Sequence, residues 1–196
     1  MMNLNVLKKT RTWLLIAWVF YVCLLVTLSR QLNLITENLT GLSTSVSGWL
    51  MMASFSIITS MFLLIGSLMT KKFENKRPAK ILLGVSCFLM AVSPLIPYWE
   101  NQAWLKDLHV WGGILGFITY QICWLFFSHS ENSQFDLWIN PLTWLLSMDP
   151  TIKMQLIIIG ISWLIICFCG HISGLSEIGY GFMEVSFLVF YNVFHK

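Results

Sequence analysis

Four residues in the second half of this chain carry side chains suited to chemistry: His109, His171, Glu177 and Glu184. Asp107 stands two positions before the first, and Tyr120 lies eleven positions after it on the same helical stripe. Two imidazoles and two carboxylates could hold a polar headgroup, satisfy one another as a structural His–Glu pair, or ligate zinc. The spacing favours no metal site, because HExxH, HxxxH and HxxE are all absent. There is likewise no GxSxG elbow, no GxxxxGK(S/T) phosphate loop and no dinucleotide glycine pattern, so no nucleophile or cofactor cradle is marked. No cofactor and no metal are expected.

The elements that would position these residues are apolar blocks. The 196 residues are 57% hydrophobic and 11% charged, against about 25% charged in a typical soluble domain. The apolar residues fall in long runs, at about 13–29, 49–69, 81–98, 108–127, 152–170 and 178–194. A helix needs roughly 20 apolar residues to cross a hydrocarbon layer about 30 Å thick. The composition therefore predicts one all-α membrane domain over residues 1–196, a bundle of six transmembrane helices. The first block follows Lys8, Lys9 and Arg11 as a secretory leader would, but no small-x-small cleavage site follows it, so a retained helix is expected. Pro94 and Pro97 should kink or end the third helix near its outer end. The short apolar stretch Trp138 to Leu146, flanked by tryptophans, is expected to lie on the inner membrane surface. The five cysteines sit inside apolar blocks and form no disulfide or zinc-finger spacing.

Charge gives the orientation. Ten of the twelve Lys and Arg lie near one side of this map (positions 8, 9, 11, 71, 72, 76, 77, 80, 153 and 196), and only Arg30 and Lys106 near the other. The positive-inside rule then puts both ends in the cytoplasm. The compact chain is expected in a bacterial plasma membrane. Membrane lipids are the expected partners. Nucleic acid is not, since no basic run interleaves with aromatics. The patch Lys71 to Lys80 could dock a protein partner or anionic lipid, or be the orientation signal alone.

On this map His109, His171 and Glu177 fall near the outer face, with Glu184 about two turns deeper. At about 100° per residue, Glu177, Gly181, Glu184, Tyr191 and His195 share a stripe on the last helix. His109, Gly113, Gly116 and Tyr120 share another on the fourth. Gly160 and His171 share a third on the fifth. Small residues let membrane helices approach, and Gly112-x-x-x-Gly116 has the required spacing. Gly112, Gly113, Gly116, Gly160 and Gly181 are therefore expected to pack the last three helices together, leaving His109, His171, Glu177, Glu184, Asp107 and Tyr120 around one outward-opening polar cavity.

The fourth and sixth blocks resemble the eukaryotic DRAM (damage-regulated autophagy modulator) family, which includes a lipid-remodelling factor for GPI anchors. The resemblance rests on His109, Gly112, Gly113 and Phe117, with Tyr120 beyond. It also rests on Glu184 followed by Asn192, Val193, Phe194 and His195, with one residue more between the Glu and the Asn. Gly174, Leu175, Ser176 and Glu177 are similar to a motif of a short bacterial six-helix family of unknown function. The resemblance covers the third to sixth helices. It implies six helices with cytoplasmic ends and a role in lipid handling, without an established catalytic apparatus. The function expected is a non-enzymatic protein that binds, senses or helps handle a lipid or amphiphile from the outer leaflet. A metal-dependent hydrolase at the same cluster, or a small transporter or immunity subunit working with partner chains, are the alternatives.

Overall fold

The computed structural model describes residues 4–70, 72–96, 103–127 and 149–194. The stretch Trp138 to Leu146, expected on the membrane surface, lies outside them, as do His195, Pro97 and Lys71. The described residues form helices and no strand. In chain order these are α1 (Leu4–Ser29), a 3₁₀ turn (Leu39–Thr44), α2 (Val46–Met69), α3 (Arg77–Val92) running into a 3₁₀ turn (Ser93–Leu95), α4 (Ala103–Ile122) continued by a π-helical turn (Cys123–Phe127), α5 (Pro150–Cys169) and α6 (Gly174–Phe194).

The helix ends follow local chemistry. Ser45 caps α2 by accepting the Gly48 N–H at 3.1 Å. Asp149 caps α5 from the Thr151 N–H at 2.8 Å, with Pro150 in the first turn, where a missing N–H costs nothing. Gly170 closes α5 at φ 74°, a left-handed conformation that favours glycine. The helices start two to nine residues ahead of the apolar blocks, because polar first turns such as Lys8 to Arg11 are still helical where they leave the apolar layer. α3 ends earlier than expected, at Val92, where Pro94 tightens the chain into the 3₁₀ turn.

Five of the helices are long and apolar enough to cross a membrane. α6, which carries Glu177 and Glu184, falls short by composition, yet it is the helix most enclosed by the others, packing on α1, α2 and α5. The core is apolar, but the surface is apolar as well and some polar side chains are fully enclosed. Phe20 and Phe168 are 72% and 82% exposed, whereas Gln155 and Glu184 are 0% exposed. Apolar side chains outside and hydrogen-bonded polar side chains such as Gln155 and Glu184 inside suit a lipid solvent.

The glycines pack differently from the expectation. A Cβ on Gly116 would meet Met90 Cγ at 2.7 Å and the Ser86 carbonyl at 2.9 Å, so this stripe seats α4 on α3. Gly112 and Gly113 face Ser93, on the same side. Gly181 faces Tyr21 of α1 and Phe55 of α2, and nothing lies within 4 Å of a Cβ on Gly160. The small residues therefore bind α4 to α3 and α6 to α1 and α2; they do not bring α4, α5 and α6 together. The reason is that glycine spacing marks a face that can be approached closely without saying which helix approaches it.

Candidate functional site

The result is a gap where close packing was expected. α4 and α5 do not pack closely on each other. Between them lies a cavity of about 380 Å³ at the end of the bundle that holds the 30–45 and 170–174 connections, within the range of about 300–1,000 Å³ common to small-molecule sites. Its walls come from α2 (Phe55, Ser56, Thr59, Ser60), the end of α3 (Met90, Ser93), α4 (His109, Gly113, Phe117), α5 (Ser162, Trp163) and α6 (Glu177, Tyr180). Asn38, Leu39 and Thr40 roof it.

The roof is tied down from two sides. The Leu39 N–H donates to Glu177 Oε2 at 2.7 Å. The Gly174 and Leu175 N–H groups donate to the Glu37 and Leu34 carbonyls at 2.6 and 2.8 Å, which satisfies the donors that open α6. On the other side, His109 Nδ1 donates to the Ile96 carbonyl at 3.0 Å, and its Nε2 accepts from the Thr40 hydroxyl at 3.4 Å. A carbonyl can only accept, so the proton sits on Nδ1. Asn38 caps the 3₁₀ turn from the Gly41 N–H at 3.2 Å.

Among the six ligand-contact candidates, the structure brings His109 and Glu177 to this cavity. His171 is exposed in the turn after α5, its Nδ1 donating to the Cys169 carbonyl at 2.9 Å. Asp107 is exposed on α4. Glu184 and Tyr120 lie deeper, in a separate polar core. Glu184 is seven residues past Glu177, about 10 Å along the axis at 1.5 Å per residue. The cavity ends above it at Leu63, Phe117 and Tyr180. There Phe117 meets Tyr180 edge-on at 4.6 Å between centroids, and Gln121 Nε2 donates to the Tyr180 hydroxyl. Below, Glu184 Oε1 accepts from Gln155 Nε2 at 2.5 Å and from the Tyr120 hydroxyl at 3.1 Å.

Residues that the sequence did not single out matter as much. Ser60 Oγ is buried, lines the cavity and has no partner among the described residues. Thr59 is engaged by the Tyr21 hydroxyl at 3.0 Å. Gln155 and Gln121 announced themselves as amides inside apolar blocks; the serines and threonines, common in membrane helices, carried no such signal. A second hollow, about 470 Å³ between the far halves of α5 and α6, is walled by Met154, Ile157, Met183, Phe187 and Phe190, with few polar groups. Its polar residues are Thr151, Ser186 and Tyr191, with no charged or imidazole group in the lining.

At the opposite end, Lys72 pairs with Asp149, joining the 70–76 connection to the start of α5. Partial burial alone would raise the Asp149 carboxyl. The Lys72 ammonium and the Thr151 hydroxyl and N–H outweigh that and hold it below its ordinary 3.8. Among the described residues, no three His, Cys, Asp or Glu come together in a way that could hold a metal ion. No family model matches this chain, and neither curated proteins nor solved structures show a significant match.

Proposed function

We propose that this chain is a six-span protein of a plasma membrane, both ends cytoplasmic, that binds or senses a lipid or other amphiphile from the outer leaflet without transforming it. The observation that carries this reading is the cavity between α4 and α5. Its imidazole and carboxylate (His109, Glu177) lie under the roof beside Thr40, and the deeper walls mix hydroxyls such as Ser56 and Ser60 with aromatic and aliphatic side chains. Its slit is bordered by Val110, Ile118 and Trp163, which are exposed on the apolar flank of the bundle. A molecule with a polar head and an apolar tail fits that arrangement, and it could enter sideways from the acyl chains without crossing water. The orientation agrees with the fold. The basic connection at Lys72 and the start of α5 meet at one end, while the weakly charged 30–45 loop and the start of α6 meet at the other. The lipid handling implied by the resemblance at His109, Gly112, Gly113 and Phe117 points the same way.

Lipid analysis of the protein purified in a mild detergent tests the reading. About one amphiphile per chain should be retained. Gly113→Leu should lose it with unchanged helicity, because a Cβ there meets only Ser93 Oγ at 3.4 Å and the rest of the side chain takes up cavity space. Wild-type protein with no retained amphiphile, or a Gly113→Leu variant that retains as much, would refute it.

A further inference from the structure

The charge and hydrogen-bond inventory of the cavity narrows its ligand. The walls carry one carboxylate, Glu177, and no Lys or Arg among the described residues. His109 has its two ring nitrogens turned to the Ile96 carbonyl and the Thr40 hydroxyl. The start of α6 would ordinarily attract an anion through its free N–H groups, but here those donors are taken. Gly174 and Leu175 give theirs to the Glu37 and Leu34 carbonyls, Ser176 to Ser173 Oγ at 3.3 Å, and Glu177 to the Ser173 carbonyl at 3.0 Å. A phosphate or carboxylate headgroup would thus meet a carboxylate with no Lys or Arg counter-charge and no open row of backbone N–H donors.

A cation meets the opposite situation. Glu177 is held in place by the Leu39 N–H, and beneath it Phe55, Phe117 and Tyr180 line the cavity with aromatic rings, whose faces attract ammonium groups. The unpartnered Ser60 hydroxyl can donate as well as accept, so the sign of the charge is carried by Glu177 and the rings. We propose that the amphiphile is cationic, a long-chain amine or quaternary ammonium whose head lies beside Glu177 and whose tail leaves through the slit between α4 and α5. This rests on the reading of the cavity as an amphiphile site and adds the sign of the charge.

The test uses three probes with the same alkyl chain: tetradecyltrimethylammonium, tetradecyl phosphate and uncharged tetradecanol. Each is titrated at pH 8 against the full-length protein in a sugar-headed detergent, with occupancy read by native mass spectrometry. The ammonium should bind at least about tenfold more tightly than the alcohol, and the phosphate more weakly than either. Glu177→Gln keeps an oxygen for the Leu39 N–H and removes the charge; it should bring ammonium and alcohol to equal affinity while leaving the alcohol unchanged. Equal binding of ammonium and alcohol by the wild type overturns the inference and leaves the amphiphile site standing. Failure of all three to bind overturns both. Should Glu177→Gln fail to fold, the wild-type ranking decides alone.

Discussion

The Tyr120 hydroxyl donates to Glu184 Oε1 at 3.1 Å, linking α4 to α6 where their backbones do not approach closely. It is one step in a chain of donors: Trp124 Nε1 to Ser67 Oγ at 3.2 Å, Ser67 to Tyr120 at 3.0 Å, and Tyr120 to Glu184. Such chains polarise one another, and in lipid no water replaces a missing member. Tyr120→Phe should therefore lower stability by about 0.6 kcal/mol, the mean for interhelical hydrogen bonds in a membrane, and by no more than about 1.7 kcal/mol. Because Tyr120 does not line the cavity, amphiphile retention should not change. Reversible unfolding in mixed detergent, together with lipid analysis, checks both halves.

The glycine stripe yields a paired prediction. Gly116→Ala drives a methyl group into Met90 and the Ser86 carbonyl, and overpacking of this kind costs about 1–3 kcal/mol. Gly160→Ala meets nothing within 4 Å and should be neutral or stabilise by up to about 1 kcal/mol through helix propensity. Equal effects in a thermal-shift comparison would contradict the assignment of this stripe to the α3–α4 contact.

His109 holds the roof by its bond to Thr40 and anchors it to the end of α3 through Ile96. His109→Ala removes both. Hydrogen exchange at the amides of Leu39–Thr44 should then speed up by about fivefold, the equivalent of about 1 kcal/mol of local opening. The helix cores should exchange as before. Mass-spectrometric exchange on the purified protein reads this directly.

The Asp149–Lys72 pair predicts an acid window. A carboxyl held below its ordinary 3.8 adds stability that is complete above that value and disappears as pH falls through the lower, folded-state value. Wild type should therefore unfold at a higher temperature than Asp149→Asn at neutral pH, and the gap should close only below about pH 4. The pair is partly exposed, with side-chain accessibilities of 22% and 33%, so added salt should also narrow the gap. Melting curves from pH 3 to pH 7 at two salt concentrations test this.

Much of the architecture was legible before any coordinates. Runs of apolar residues long enough for a bilayer specify helices whatever they pack against, because lipid forces each backbone to satisfy its own hydrogen bonds. Pro94, Gly170 and the Asp149-Pro150 pair mark helix ends by rules that operate within a few residues. The site was half legible. His109 and Glu177 could be placed at the outer end by counting along their helices. Helical phase suggested that Glu184 and Tyr120 belonged with them, since they share the stripes, but neither phase nor depth along a helix says where side chains from other helices close the cavity.

The sequence by itself determined where the helices are, which side chains are too polar for lipid, and which ends carry positive charge, because these depend on local composition and on the solvent. Only the tertiary structure decided which faces meet. It turned the α4 glycines toward Ser86, Met90 and Ser93, left α4 and α5 apart, and divided one expected polar cluster into a roofed cavity around His109 and Glu177 and a closed core around Glu184. That choice rests on contacts between residues far apart in the chain, such as Leu39 with Glu177 and Gln155 with Glu184, and no local pattern encodes them.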